Sequence, residues 1–178
     1  MRRIPVQQRS VERVNQMLDV AAELLDEGGY DALSTRTVAA RSGLPIGTIY
    51  RFFHDKRGLA DALAHRNLER FLARIADGLD EVTTWEPLVD LVVDEYLDMK
   101  AHVPGFAVMD FGASAEVADA LATVLAPRLG LPDDERLRRT LLTAVEAADG
   151  LLRAHHADPL MVAETKDLLH AYLSRKLP

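Results

Sequence analysis

An all-α fold is the first expectation, and three observations carry it. Ala, Leu, Arg and Glu dominate a 178-residue chain with only 6% aromatics, a composition of strong helix formers. Apolar residues recur at three- and four-residue steps through most of the length, and no segment shows the period-two alternation of a half-buried strand. Gly, Pro, Ser and Asp punctuate the periodic runs where helices start and stop.

The elements follow in order. Val11, Val14, Leu18, Ala21 and Leu25 make one stripe of an amphipathic helix from about Ser10 to Glu27, closed by Gly28-Gly29. Ile4 to Val6 reads as a mobile arm ahead of it. After a turn at 30–33, Ser34-Thr35 caps a brief helix that Gly43 ends. Pro45 starts another, Ile46 to Phe53, in a first turn where its missing N–H is not needed. Asp55 caps a long helix from Lys56 to about Leu79, and Pro87 opens one that reaches His102. Val103-Pro104-Gly105 breaks that helix, and residues 106–112 have no clear form. Ser114 is expected to cap a helix to Leu129, followed by two long helices at 133–156 and 159–176. The expected organisation is a small head of three helices over residues 1–55 and a helical body over 56–178.

Composition removes several classes of function. There is no cysteine, so disulfides, thiolate nucleophiles and cysteine-based zinc sites are excluded. No apolar run approaches the ~18 residues of a membrane helix, and no apolar leader follows Met1-Arg2-Arg3, so cytoplasmic residence is expected. Net charge is −7, but unevenly placed. Residues 1–74 carry 12 Lys and Arg against 9 Asp and Glu, and residues 75–178 carry 9 against 19. A basic head on an acidic body suits a protein whose head alone meets phosphate.

Three short helices within the first ~55 residues, with a glycine turn between the second and third, form a helix-turn-helix. Val38, Ala39, Leu44, Ile49 and Phe53 are expected to face a small shared core. The remaining third-helix residues then point outward, where a helix can enter the major groove. From Ser34 through Gly43 to Lys56 the segment resembles the DNA-binding signature of the TetR family of bacterial regulators. The shared pattern is a hydroxyl residue opening the second helix, Val38-Ala39 within it, and the turn glycine. Gly47-Thr48, Ile49, Tyr50, the Phe52-Phe53 pair and Lys56 complete it. The resemblance covers about residues 10 to 65. Beyond it only the architecture is alike, with Ala148-Asp149-Gly150-Leu151-Leu152 and Ala171-Tyr172-Leu173 similar to that family's dimerisation helices.

The resemblance implies an operator-binding dimer, a repressor by the family's usual mode, and roles for matching positions. Thr35, Tyr50 and Lys56 would meet phosphate, Arg36 a base or phosphate, and Thr48 a phosphate or a thymine methyl. Gly47 would let the backbone approach DNA, and Arg51 is the candidate for reading guanine bidentately. Pro45, Ile46 and Phe52 complete the expected DNA-binding set. Pro45 stands where the family often has a hydroxyl residue, and Phe52 where it often has tyrosine or histidine, so neither offers the usual polar contact. Arg2, Arg3 and Arg9 could track the backbone or enter the minor groove.

The family's effector is a small molecule held in the body, and release follows when it favours a dimer whose heads no longer span about 34–36 Å. Candidate lining is Trp85, Tyr96, Met99, His102, Phe106, Met109 and Phe111, adaptable Met and aromatic side chains suited to an apolar or amphipathic ligand. The helices at 133–156 and 159–176 are expected to pair with their symmetry mates as a four-helix bundle. Small residues Ala144, Ala147, Ala148 and Gly150 permit close approach, and Leu141, Val145, Leu152, Leu168, Leu169, Tyr172 and Leu173 supply apolar area. No metal and no cofactor is expected. His155 and His156 project about 100° apart on a helix and do not converge with Asp158 on an ion. No phosphate loop or nucleophile elbow is present, so an enzyme is not expected. A helical adaptor that does not bind DNA is the stronger rival, and it would have no need of phosphate donors in this register.

Overall fold

The structure, a computed structural model, describes residues 6–79 and 84–177, without the side chains of 6–8. Arg2 and Arg3 lie outside the described residues. Eight helices occupy the described chain: α1 (Val6–Ala32), α2 (Thr35–Ser42), α3 (Ile46–Phe52), α4 (Lys56–Gly78), α5 (Trp85–His102), α6 (Ser114–Leu129), α7 (Glu135–His155) and α8 (Pro159–Leu173). No strand appears among the described residues.

Local chemistry sets most of the ends. Gly28 and Gly29 depart from helical dihedrals (φ −146° and +65°), so the regular part of α1 stops at Glu27 as the glycine pair predicts. Its start differs: Val6 is already helical, where an arm was expected. At α2, Ser34 and Thr37 form a reciprocal capping box, each side-chain oxygen accepting from the other's backbone N–H. Gly43 closes α2 at φ +69°, a left-handed conformation that glycine takes without steric cost. Pro45 occupies the cap position of α3, and Phe53 ends it by donating its N–H to the Ile49 carbonyl at 2.8 Å. Asp55, Asp134 and Asp158 accept first-turn N–H groups of α4, α7 and α8. Ser114 is the first residue of α6, not its cap; Ala113 holds the cap position without a side-chain bond. Helix α8 ends at Leu173, with turns carrying the chain on to Lys176.

Two compact units organise the chain. The first comprises residues up to Asn67 together with Lys100–Asp110, and the second comprises Leu68–Met99 with Phe111 onward. The expected boundary between 55 and 56 falls at the start of α4, twelve residues short of where the first unit leaves that helix.

In the first unit, Leu18, Ala21 and Leu25 of α1 pack with Val38, Ile49 and Phe53 and with Leu59 and Leu63 of α4. Ala39 and Leu44 pack against this core while partly exposed. Val11 does not join it and stands 56% exposed. The 100–110 segment is tied to α1 and α4. Gly105 donates its N–H to Asp26 Oδ1 at 2.8 Å, and Asn67 Nδ2 donates to the carbonyl oxygens of Met109 (2.9 Å) and Asp110 (3.3 Å).

In the second unit, α6 packs on α7 and α7 on α8. Phe71, Tyr96 and Phe111 form an aromatic cluster, with ring centroids 4.6 Å apart for Phe71–Phe111 and 5.9 Å for Tyr96–Phe111. Arg74 bridges Glu95 and Asp98 of α5, and Arg138 bridges Asp119 (2.9 Å) and Asp133 (2.7 Å). The excess of carboxylates in this unit is thus partly answered by arginines that each serve two.

Candidate nucleic-acid interface

Helix α3 divides cleanly by side-chain direction. Ile49 is fully buried against α1 and α2, and Phe53, just past the helix, is 7% exposed. With these anchors inside, the helical period puts Ile46, Gly47, Tyr50 and Arg51 on the outer side, and all four are exposed. Ile46 and Tyr50 are 42% and 45% exposed. A Cβ added at Gly47 would meet no heavy atom within 4 Å, so the backbone there is open to solvent. Thr48 and Phe52 are half-buried, and Phe52 packs against the first-unit core. The Arg51 guanidinium carbon lies 5.8 Å from the centre of the Phe52 ring. Pro45 and Arg36 are exposed.

Thr35 is placed differently from its neighbours. It is 7% exposed, and its hydroxyl donates to the Tyr50 hydroxyl at 3.4 Å. Within the free protein its hydroxyl thus faces that of Tyr50. Lys56, at the first position of α4, has its ammonium 3.9 Å from the centre of the Tyr30 ring and 4.0 Å from Asp31 Oδ1. Both contacts involve groups just past the glycine break in α1, and Lys56 retains 30% side-chain exposure. Tyr30 is a residue that sequence reasoning passed over as part of a turn. Its signal was an aromatic placed between a glycine pair and a helix cap, where polar residues are the norm.

Arg41 faces another direction. Its guanidinium donates to Glu27 Oε1 at 2.6 Å, joining α2 to the end of α1. That hydrogen bond holds the Glu27 carboxyl below the usual carboxylate range and pushes the guanidinium up.

The seven side chains expected around an effector have different surroundings. Met99 and Phe106 are fully buried, Tyr96 and Phe111 belong to the aromatic cluster, and Met109 packs on the first-unit core. His102 is exposed. These residues fall into both units: His102, Phe106 and Met109 in the first, the others in the second. Trp85 lines an aliphatic cavity of about 90 Å³ within the second unit.

The dimerisation residues separate as well. Leu141, Ala144, Leu152, Leu169 and Leu173 are buried within the chain. Leu160 (77% exposed) and Leu168 (47%) remain outside on α8, and Ala147, Gly150 and Tyr172 are exposed or half-exposed. No group of three metal-ligating side chains occurs among the described residues.

Comparison with known proteins agrees with this arrangement. Residues 17–63 match the family pattern described as "Bacterial regulatory proteins, tetR family", and residues 83–177 match "Tetracyclin repressor-like, C-terminal domain". A TetR-family transcriptional regulator from Streptomyces coelicolor is 48% identical, with a TM-score of 0.88 over 93% of this chain and 99% of that one. Among curated proteins, the fatty acid metabolism regulator protein of Bacillus subtilis is 26% identical over 94 residues, 53% of this chain and 48% of its own length. The repressor KstR of Rhodococcus jostii is 38% identical over 63 residues, 35% of this chain and 30% of its own length. The match thus spans about half of one curated relative and under a third of the other, and the KstR match is confined to 63 residues. From the matched head, the matched body and the close structural relative together, the chain belongs to the TetR family of transcriptional regulators.

Proposed function

We propose that this protein is a repressor that binds a palindromic operator as a homodimer and lets go when a small molecule occupies its second unit. The observation that carries the reading is the outer side of α3, where Ile46, Gly47, Tyr50 and Arg51 are presented around a helix fixed from beneath by Ile49 and Phe53. A rigid helix with a bare backbone position and one guanidinium is suited to a major groove. Tyr50 and Lys56 flank it as phosphate donors, and Lys56 exchanges its contact with Asp31 for a phosphate oxygen. Arg36, Pro45, Thr48 and Phe52 border the same surface, and Thr35 acts by orienting Tyr50. Exposed apolar residues on α8, Leu160 and Leu168, supply the pairing surface together with the half-exposed stripe of α7.

Binding of the wild type, Arg51→Ala and Lys56→Ala to an operator and to unrelated duplexes across a salt series tests the reading. Arg51→Ala should cost about 1–3 kcal/mol at the operator and mostly at one base position, and Lys56→Ala should weaken all duplexes and lower the salt slope by about one phosphate. Equal losses for Arg51→Ala on every sequence would reduce Arg51 to a phosphate contact. No DNA binding by the wild type, with a protein partner retained by Arg51→Ala, would favour the adaptor.

A further inference from the structure

The second unit contains two adjoining spaces of opposite character. The first is the cavity of about 90 Å³ walled by α5 to α8, with Leu121, Leu125, Leu141 and Leu169 among its lining and Trp85 beside them. Every lining residue is apolar. The second is a groove of about 460 Å³ that carries Arg136, Arg175 and Lys176. Leu131, Leu137 and Leu177 belong to both linings, so the apolar and the cationic space are neighbours.

Charge in the groove is left largely unanswered. Arg136 and Arg175 make no ion pair among the described residues. Lys176 lies 5.8 Å from the Tyr172 ring centre. One carboxylate lines the groove, that of Asp134, and it is occupied in capping α7 by accepting from the Leu137 N–H at 2.9 Å. Elsewhere in this acidic unit, arginines such as Arg74 and Arg138 are each held by two carboxylates. Two guanidiniums that pair with no carboxylate, beside a cavity lined only by apolar side chains, ask for a ligand that is anionic at one end and aliphatic at the other.

We propose that the second unit binds an aliphatic carboxylate, its tail in the Leu121–Leu169 cavity and its head group on Arg136 and Arg175. The proposal rests on the reading above that a small molecule acts through this unit, and it names the site and the ligand class. A cavity of ~150 Å³ takes a six-carbon ring, so one of about 90 Å³ takes about four carbons. A six-carbon acid then reaches from the cavity to the groove.

Trp85 is the only tryptophan of the sequence, so its fluorescence reports on the cavity directly. The full chain is titrated without DNA with hexanoate, hexanol and hexylamine, following Trp85 emission and thermal stability. Hexanoate is expected to bind saturably, shift the emission and raise Tm, and hexylamine to do neither. Arg136→Gln and Arg175→Gln are each expected to weaken hexanoate by about fivefold, the upper range for an exposed ion pair, and to leave hexanol unchanged. Ala148→Phe, which fills the cavity from α7, should abolish the signal; the two arginine variants, on the outside of the fold, decide the matter if Ala148→Phe does not fold. Hexanoate binding that is indifferent to both arginines, or no response of Trp85 to any probe, overturns the site. Both results leave the DNA reading standing, because no DNA is present. Hexanoate that fills the cavity but does not release bound operator overturns its role as effector.

Discussion

Gly47→Ala separates folding from DNA binding at one position. A methyl group at Gly47 meets no heavy atom within 4 Å, so the substitution carries no steric cost in the free protein. Gly47 is the second residue of α3, and alanine is favoured over glycine in a helix interior by up to about 1 kcal/mol, less in a first turn. A gain of about 0.5 kcal/mol is expected, raising Tm by roughly 1–2 °C. The same methyl is placed on the surface assigned to the major groove. Inserting one into a close-packed contact costs about 1–3 kcal/mol, a loss of roughly five- to 150-fold in operator affinity. Thermal melts followed by circular dichroism and DNA titrations by fluorescence anisotropy read the two effects on one preparation. A variant that is as stable as the wild type and binds operator just as tightly refutes the placement of Gly47 against DNA.

Three further outcomes are expected. Gly105→Ala should destabilise by about 3 kcal/mol, lowering Tm by roughly 6–12 °C, because Gly105 has φ +75° and its Cβ would lie 2.8 Å from the Ala22 Cα. Gly130→Ala, at φ +63° with nothing within 4 Å, bears only the backbone part; equal melts for the two would refute the close approach. Glu27→Gln should lower Tm near neutral pH, since the Arg41 hydrogen bond holds the Glu27 carboxyl below its ordinary value of 4.5. That stabilisation is present above 4.5 and lost as pH falls through the lowered folded value, so the two melting curves should converge on acidification; a constant gap would contradict the pairing. Leu168→Glu, at a 47% exposed position of α8, should yield a monomer by light scattering after size exclusion; an intact dimer would move the interface elsewhere.

Helix identity was legible wherever it depends on a residue's own backbone chemistry. Ser34, Gly43 and Asp55 act within a few residues of themselves, so their roles could be read locally. Ser114 misled because a serine can begin a helix as well as cap it. The inner face of the head was legible too, since Val38, Ile49 and Phe53 sit at helical spacings that admit one burial pattern.

Periodicity tells which side of a helix is apolar but not what covers it. On α7 and α8 one apolar surface serves both a neighbouring helix and the exterior, and only packing assigns Leu141 and Leu169 to the first and Leu168 to the second. The aromatic and Met residues at 85–111 divide between the two units, which periodicity likewise does not show. Tyr96 and Phe111 answer each other and Phe71, whereas the open cavity is walled mainly by leucines that no composition signal distinguishes from core. The contacts of Lys56 with Tyr30 and Asp31 join residues 25 or more apart and depend on the bend at Gly28-Gly29, which the sequence marks without giving its direction.

Affinity selection of sheared genomic DNA from the source organism on the purified protein, at near-physiological salt, tests the central claim most directly. The account predicts a recurring, near-palindromic site whose half-sites lie about 34–36 Å apart, retained by the wild type and lost with Arg51→Ala. Retention without any recurring sequence, or retention that Arg51→Ala leaves unaltered, would contradict it.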